Sequence, residues 1–176
     1  MSENKIILLD TMIVGGLFAL NKKGNKIEEN KTEWKRAVIE IVNIFKNKRL
    51  LAPPSVCFEL MCWDKSWHKF VTEKGHSVFN YSSEPISNET LQIASKFAYT
   101  CGGIFAETNE IKYKLKSMDP ITAAYAINHG YYILTENEKD FPESFFNIIA
   151  MEKLILFGKD GKKYRRFLYL LEGNKK

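Results

Sequence analysis

The sequence predicts an α/β fold built on a mostly parallel sheet, and three observations lead there. Ile6-Ile7-Leu8-Leu9 is a continuous apolar run that stops at Asp10, the pattern of a strand covered on both faces. Trp34, Ala37, Val38, Ile41, Val42 and Phe45 recur at helical spacing, which marks one buried helix face. The alanine-rich segment Ile121–Asn128 runs straight into Tyr131-Tyr132-Ile133-Leu134-Thr135, a helix followed by a β-branched and aromatic strand. Strands that alternate with helices form layered α/β domains.

The elements follow in order. Ile6–Leu9 is the first strand, and the polar stretch Gly24–Lys31 reads as a loop. The periodic segment Thr32–Lys48 is a helix, followed by a short strand at Leu50-Leu51-Ala52. Pro53-Pro54-Ser55 opens a second helix, because proline is tolerated in a first turn; its buried stripe is Val56, Leu60, Trp63, Trp67 and Phe70, with Gly75 just beyond its end. Val78–Ser82 is a candidate strand. Leu91, Ala94, Phe97 and Ala98 mark a third helix, closed by Gly102-Gly103. Ile104–Met118 reads as short helix or loop. Asp119 is placed as N-cap and Pro120 as the first helical residue of the next helix, with His129 in its last turn and Gly130 closing it in left-handed geometry. Ile148–Leu156 adds one or two strands.

A chain of 176 residues, 45% hydrophobic and 27% charged, fits one soluble domain with a proper core. No apolar run reaches the roughly 20 residues of a membrane span. Met1–Asp10 lacks a basic segment and a small-residue cleavage site, so a cytoplasmic protein without a signal peptide is expected. The net charge of +5 and pI of about 9.0 suit a polyanionic partner, although a Lys-rich composition alone raises both. Cys57, Cys62 and Cys101 are odd in number and form no CxxC pair, and His68, His76 and His129 share no ligand spacing. Disulfide frameworks and structural zinc are therefore not expected.

Four carboxylates stand where an open α/β sheet binds ligands, beyond the carboxyl ends of its strands. Asp10 ends the first strand, and Asp140 follows the Tyr131–Thr135 strand. Asp119 begins the helix feeding that strand, and Glu59 lies near the apolar stripe of its own helix. Like charges about 4 Å apart repel by several kcal/mol inside a protein, and a divalent cation removes that repulsion. Hard oxygen ligands favour Mg²⁺ or Mn²⁺, which suits hydrolysis of a phosphodiester. Each residue also has a plain structural role open to it: an N-cap for Asp119, a strand-end turn for Asp10, a loop position for Asp140, and a solvent-reaching or Lys-paired side chain for Glu59.

These residues resemble the PIN-domain family, specifically VapC-type ribonucleases, from about Lys5 to Leu156. The motifs are Ile6–Leu9 with Asp10-Thr11; Pro54-Ser55-Val56 leading to Glu59-Leu60; and Asp119-Pro120-Ile121-Thr122-Ala123-Ala124 through Gly130 into Tyr132–Thr135, Asn137 and Asp140-Phe141. The resemblance implies a three-layer α/β/α sandwich around a four- or five-stranded sheet, a PIN-like domain over 1–157 and a basic extension over 158–176. It further implies RNA cleavage by metal-activated water, leaving a 5′-phosphate and a 3′-hydroxyl. Asp10, Glu59, Asp119 and Asp140 would be the metal-binding and catalytic acids, Thr135 and Asn137 their polar companions, and Thr11 a support for Asp10 through its hydroxyl. Candidate partners are an RNA substrate, an antitoxin protein and a second copy of the chain. Met12 departs from the family, which often has a small polar residue there. The stretch Asn21–Lys31, the long run before Asp119 and the basic tail exceed a minimal PIN domain.

Two other functions compete with a metal-dependent endoribonuclease: a PIN-fold RNA-binding protein without cleavage, and an Asp-nucleophile phosphotransferase built on Asp10. The tail has two readings. Lys162, Lys163, Arg165 and Arg166, interleaved with Tyr164, Phe167 and Tyr169, form an RNA-binding segment, or else the tail is a terminal helix packed through Phe167, Leu168 and Leu171.

Overall fold

The strands β1 (Lys5–Leu9), β2 (Lys48–Leu51), β3 (Tyr132–Thr135), β4 (Phe146–Phe157) and β5 (Lys163–Gly173) pair in one sheet in the order β2-β1-β3-β5-β4. The structure is a computed structural model, and it describes residues 4–18, 25–63, 85–100, 118–158 and 160–174. β1 lies parallel to β2 and to β3, with Ile7 opposite both Leu50 and Tyr132. β3–β5 and β5–β4 are antiparallel, with Thr135 opposite Tyr169 and Lys153 opposite Phe167. The sheet is thus mixed rather than mostly parallel. The reason is local: a tight turn at Gly158–Lys162, with Gly161 at φ 79° and Gly158 N–H donating to Lys162 O at 2.8 Å, folds β5 back on β4. A short turn of this kind can join only antiparallel strands.

The segment 158–176, expected as an extension, therefore supplies an inner strand, and the alternative of a terminal helix is overturned. Leu168, Leu170 and Leu171 are all buried, and β5 has a hydrogen-bonded neighbour on each side.

Five helices are described: α1 (Thr11–Phe18), α2 (Asn25–Val42), α3 (Pro54–Trp63), α4 (Asn88–Thr100) and α5 (Asp119–His129). Strand side chains alternate between faces, and the core divides accordingly. Ile7, Leu9, Leu134, Leu168 and Leu170 pack with Ile13, Val14, Trp34, Val38, Ile41 and Leu60. Leu8, Ile133 and Leu171 pack with Phe97, Ala123, Tyr125 and Ala126. Helices thus flank both faces of the sheet, α1, α2 and α3 on the first and α4 and α5 on the second.

Three helices also differ from expectation. α1 has no counterpart in the sequence reading. α2 begins at Asn25, inside the segment read as loop, and ends at Val42 rather than Lys48; Phe45, beyond its end, packs on Tyr132 with ring centroids 4.8 Å apart. α5 is capped by Met118, whose carbonyl accepts from Ile121 N and Thr122 N at 3.0 Å each. Asp119 therefore sits in the first turn instead of at the cap. Gly130 closes α5 as expected, at φ 67° and ψ 35°, its N–H reaching the carbonyls of Ala126 and Ile127. Val78–Ser82, nearly all of Ile104–Met118, Gly102-Gly103, Trp67, Phe70, Gly75, Cys101, His68 and His76 lie outside the described residues.

β4 is an edge strand, and α2 reaches its open side with side chains spaced one turn apart. Asn30 Oδ1 accepts from Phe157 N at 2.7 Å while its Nδ2 donates to Phe157 O at 2.9 Å. Glu33 accepts from Ile155 N at 3.0 Å, and Arg36 donates to Lys153 O at 2.7 Å. Arg36 also bridges Glu33 and Glu152, at 2.9 Å each. No helix among the described residues is long and apolar enough to cross a membrane.

Candidate active site

Asp10 stands where β1 gives way to α1. Its N–H donates to Leu134 O at 3.0 Å, extending the β1–β3 ladder by one residue. Its own carbonyl accepts from Ile13 N and Val14 N at 3.0 and 3.1 Å, which starts the helix. The carboxylate is held from two sides: Thr11 N–H donates to Oδ1 and Thr135 Oγ1 donates to Oδ2, each at 2.6 Å. Only 8% of Asp10 is exposed. Burial therefore pushes its carboxyl above the ordinary range, the bonds from Thr135 and Thr11 oppose that rise, and the charges of Glu59 and Asp140 add to it. The helix N-terminus favours an anion at this point as well.

The network extends in both directions from Asp10. The Thr11 hydroxyl donates to Glu59 Oε2 at 2.6 Å, so Thr11 serves Asp10 through its backbone and Glu59 through its side chain. That corrects the expected hydroxyl contact to Asp10. Thr135 is fully buried, and its Oγ1 accepts from Asn137 N at 3.0 Å. Asn137 Nδ2 in turn donates to Asp140 Oδ2, across the short 3-10 turn Glu138–Asp140. One chain of hydrogen bonds thus joins Glu59, Thr11, Asp10, Thr135, Asn137 and Asp140. Met12 is exposed and outside it.

Asp119 reaches the same end of the sheet by topology. α5 closes at Gly130 just before β3 begins, so its first turn lies about 16 Å back along the helix, towards the carboxyl end of β3. Ser55 Oγ and Thr122 Oγ1, 2.7 Å apart and both buried, tie the start of α3 to the start of α5. Glu59 follows Ser55 by one turn, and Asp119 precedes Thr122 by one.

The donor chemistry of this site fits a hard divalent cation, with carboxylates from β1, α3 and the loop after β3. The spacing does not present a finished cage: among the described residues, no group of three or more His, Cys, Asp or Glu side chains is close enough to hold a metal ion.

Glu136 escaped the sequence reading, and Arg166, expected there only as an RNA-binding residue of the tail, meets it at the site. Glu136, between Thr135 and Asn137, has only 10% of its side chain exposed; burial pushes its carboxyl up, and the adjacent Arg166 opposes the rise. Arg166 Nη1 lies 3.1 Å from Glu136 Oε1, which brings a guanidinium to the Thr135–Asn137 loop. No spacing rule links positions 136 and 166; only the β3–β5 pairing does. Of the other residues expected to bind RNA, Lys162 pairs with Asp160 at 3.4 Å, and Lys163 and Arg165 project from β5 as exposed side chains.

Compared with known proteins, the chain matches no family model, no curated protein and no solved structure.

Proposed function

We propose that this protein is a metal-dependent endoribonuclease with a PIN-like α/β/α architecture, in which Asp10, Glu59, Asp119 and Asp140 hold Mg²⁺ or Mn²⁺. The observation that carries the reading is the buried Asp10 carboxylate, fixed by Thr135 and Thr11 at the carboxyl end of two parallel strands and repelled by Glu59 and Asp140. A site that gathers like charges around a buried acid is poised for a cation. When bound, the cation would supply Lewis-acid activation of water and charge neutralisation at the scissile phosphate. The chain's own residues set the geometry. Thr135 orients Asp10, Thr11 orients Glu59, and Asn137 orients Asp140. Arg166, anchored on Glu136, places a fixed positive charge beside this loop for a substrate phosphate. Action in the cytoplasm and pairing with an antitoxin protein belong to the same proposal.

The test is cleavage of end-labelled RNA by purified protein with Mn²⁺, yielding 5′-phosphate and 3′-hydroxyl ends and abolished by chelation. Asp10→Asn and Asp119→Asn are each expected to remove cleavage; full activity in Asp119→Asn overturns the assignment. One observation favours a second reading, RNA binding without cleavage: the described acids stop short of a three-ligand cluster. Calorimetry with Mn²⁺ separates the two, since the nuclease releases heat on titration and the non-cleaving protein does not.

A further inference from the structure

We infer that the open face of the β4–β5 hairpin is a stacking platform for single-stranded nucleic acid, built by Lys153, Phe157, Lys163, Arg165, Phe167 and Tyr169. The inference adds a binding surface to the proposed nuclease and rests on that reading only for the identity of the polymer.

The register places these six residues on one face. Lys153 pairs with Phe167, Phe157 pairs with Lys163, and Tyr169 and Arg165 continue the alternation. The intervening residues Leu154, Leu168 and Leu170 point the other way, into the core beneath α2. Side-chain contacts agree with the register: the Phe167 and Tyr169 ring centroids are 6.5 Å apart, and Lys163 Nζ sits 5.6 Å from the centre of the Phe157 ring. A ring therefore faces a cation across the strands at two pairs, and along β5 two cations, Lys163 and Arg165, lead into two rings, Phe167 and Tyr169. Base faces stack on such rings while phosphates meet the cations.

Charge complementarity selects the occupant. Among the described residues, Lys153, Lys163 and Arg165 have no carboxylate within ion-pair distance, whereas Lys162 and Arg166 are engaged with Asp160 and Glu136. The unneutralised cations thus share one face with Phe167, which is 38% exposed. That face also leads to the acids. Tyr169 lies opposite Thr135, the residue that grips Asp10. Its hydroxyl is pushed up by burial and by the charge of Glu138, which sits in the same short turn as Asp140. A strand laid on the hairpin would run from the Lys163 end down to the carboxylates.

The experiment is fluorescence anisotropy of the full chain with a labelled oligouridine of about 12 nucleotides, in chelator so that no cleavage intervenes. Phe167→Ala is expected to weaken binding about ten-fold or more, and Phe167→Trp to restore it. Lys163→Ala with Arg165→Ala is expected to flatten the salt dependence by about 1.4 in log–log slope, two contacts at about 0.7 each. Tyr164→Ser changes an exposed ring on the α2 side of the same hairpin and is expected to leave affinity unchanged. Wild-type affinity in both Phe167→Ala and the Lys163/Arg165 double variant overturns the platform. So does a wild-type chain that ignores oligouridine but forms a dimer broken by Phe167→Ala, which would make the face a contact between copies. Because binding is read in chelator, it stands or falls separately from cleavage: the platform survives an inactive Asp10 site, and a working nuclease with unaltered platform variants refutes the platform alone.

Discussion

Replacing Thr135 with Val tests the hydroxyl on which the candidate site turns. Valine keeps the shape of the fully buried threonine and deletes only the hydroxyl. Asp10 Oδ2 then loses its 2.6 Å donor, and Asn137 N loses its 3.0 Å acceptor. A hydrogen bond to an ionised carboxylate contributes about 1.5–3 kcal/mol. Asn137 is exposed, so water replaces most of its loss. The expected destabilisation is about 2 kcal/mol, a fall of about 4–8 °C in Tm at roughly 2–4 °C per kcal/mol for a chain of this size. The sign of the pH dependence follows from Asp10. The Thr135 bond favours the charged carboxylate and works against the rise that burial causes. Its contribution is therefore present above the raised folded pKa of Asp10 and shrinks as acid protonates the group. Urea unfolding in mildly alkaline and in acidic buffer should show a large deficit in the first and a small one in the second, with Thr135→Ser close to wild type in both. A deficit equal at both pH values, or none, refutes the claim that this hydroxyl serves a charged Asp10.

Three further outcomes are expected. Asp10→Asn removes a buried charge whose pKa is raised, chiefly by burial. Wild-type stability is favoured below the unfolded pKa of Asp10 and loses that favour as pH rises through the folded one, so the variant should be the more stable at neutral pH and lack that slope in pH-dependent melts, while failing to bind Mn²⁺ in calorimetry. Gly16→Ala gains about 1 kcal/mol of helix propensity, but its Cβ would overlap the Trp34 indole; overpacking of about 1–3 kcal/mol should prevail and lower the urea midpoint, whereas a raised midpoint shows that α1 and α2 can part without loss. Leu170→Ala empties a fully buried position on an inner strand and should destabilise by about 2–5 kcal/mol; near-wild-type unfolding would mean that the C-terminal segment is dispensable to the core.

What could be read from residues alone was whatever announces itself locally. The apolar run before Asp10 and the Asp119–Gly130 block with its following strand appear where expected, because covered strands, alanine-rich helices and left-handed glycine closures leave local patterns. α1 left none. Gly15 and Gly16 argue against a helix, and the reason for Gly16 is the Trp34 ring, which lies in another element. β5 was obscured by its charges. The alternation of Leu168 and Leu170 with Tyr169 and Leu171 has a strand's period, but the lysines and arginines before it suggested a tail. At the candidate site, placement at strand ends nominated Asp10 and Asp140 and the family resemblance added Thr135 and Asn137; hydrogen bonds connect these four. Which hydroxyl serves which acid, and that Arg166 is tethered by Glu136 while Arg165 is not, depend on strand register and helix placement.

Asn30, Glu33 and Arg36 act as a surrogate sixth strand. They satisfy the outward backbone groups of β4 at Phe157, Ile155 and Lys153, the positions at which an extended stranger would otherwise dock. Sheet growth is thereby halted by side chains instead of by another backbone, and the far half of a long, partly apolar hairpin can stand in water without serving as a seed for its own neighbours.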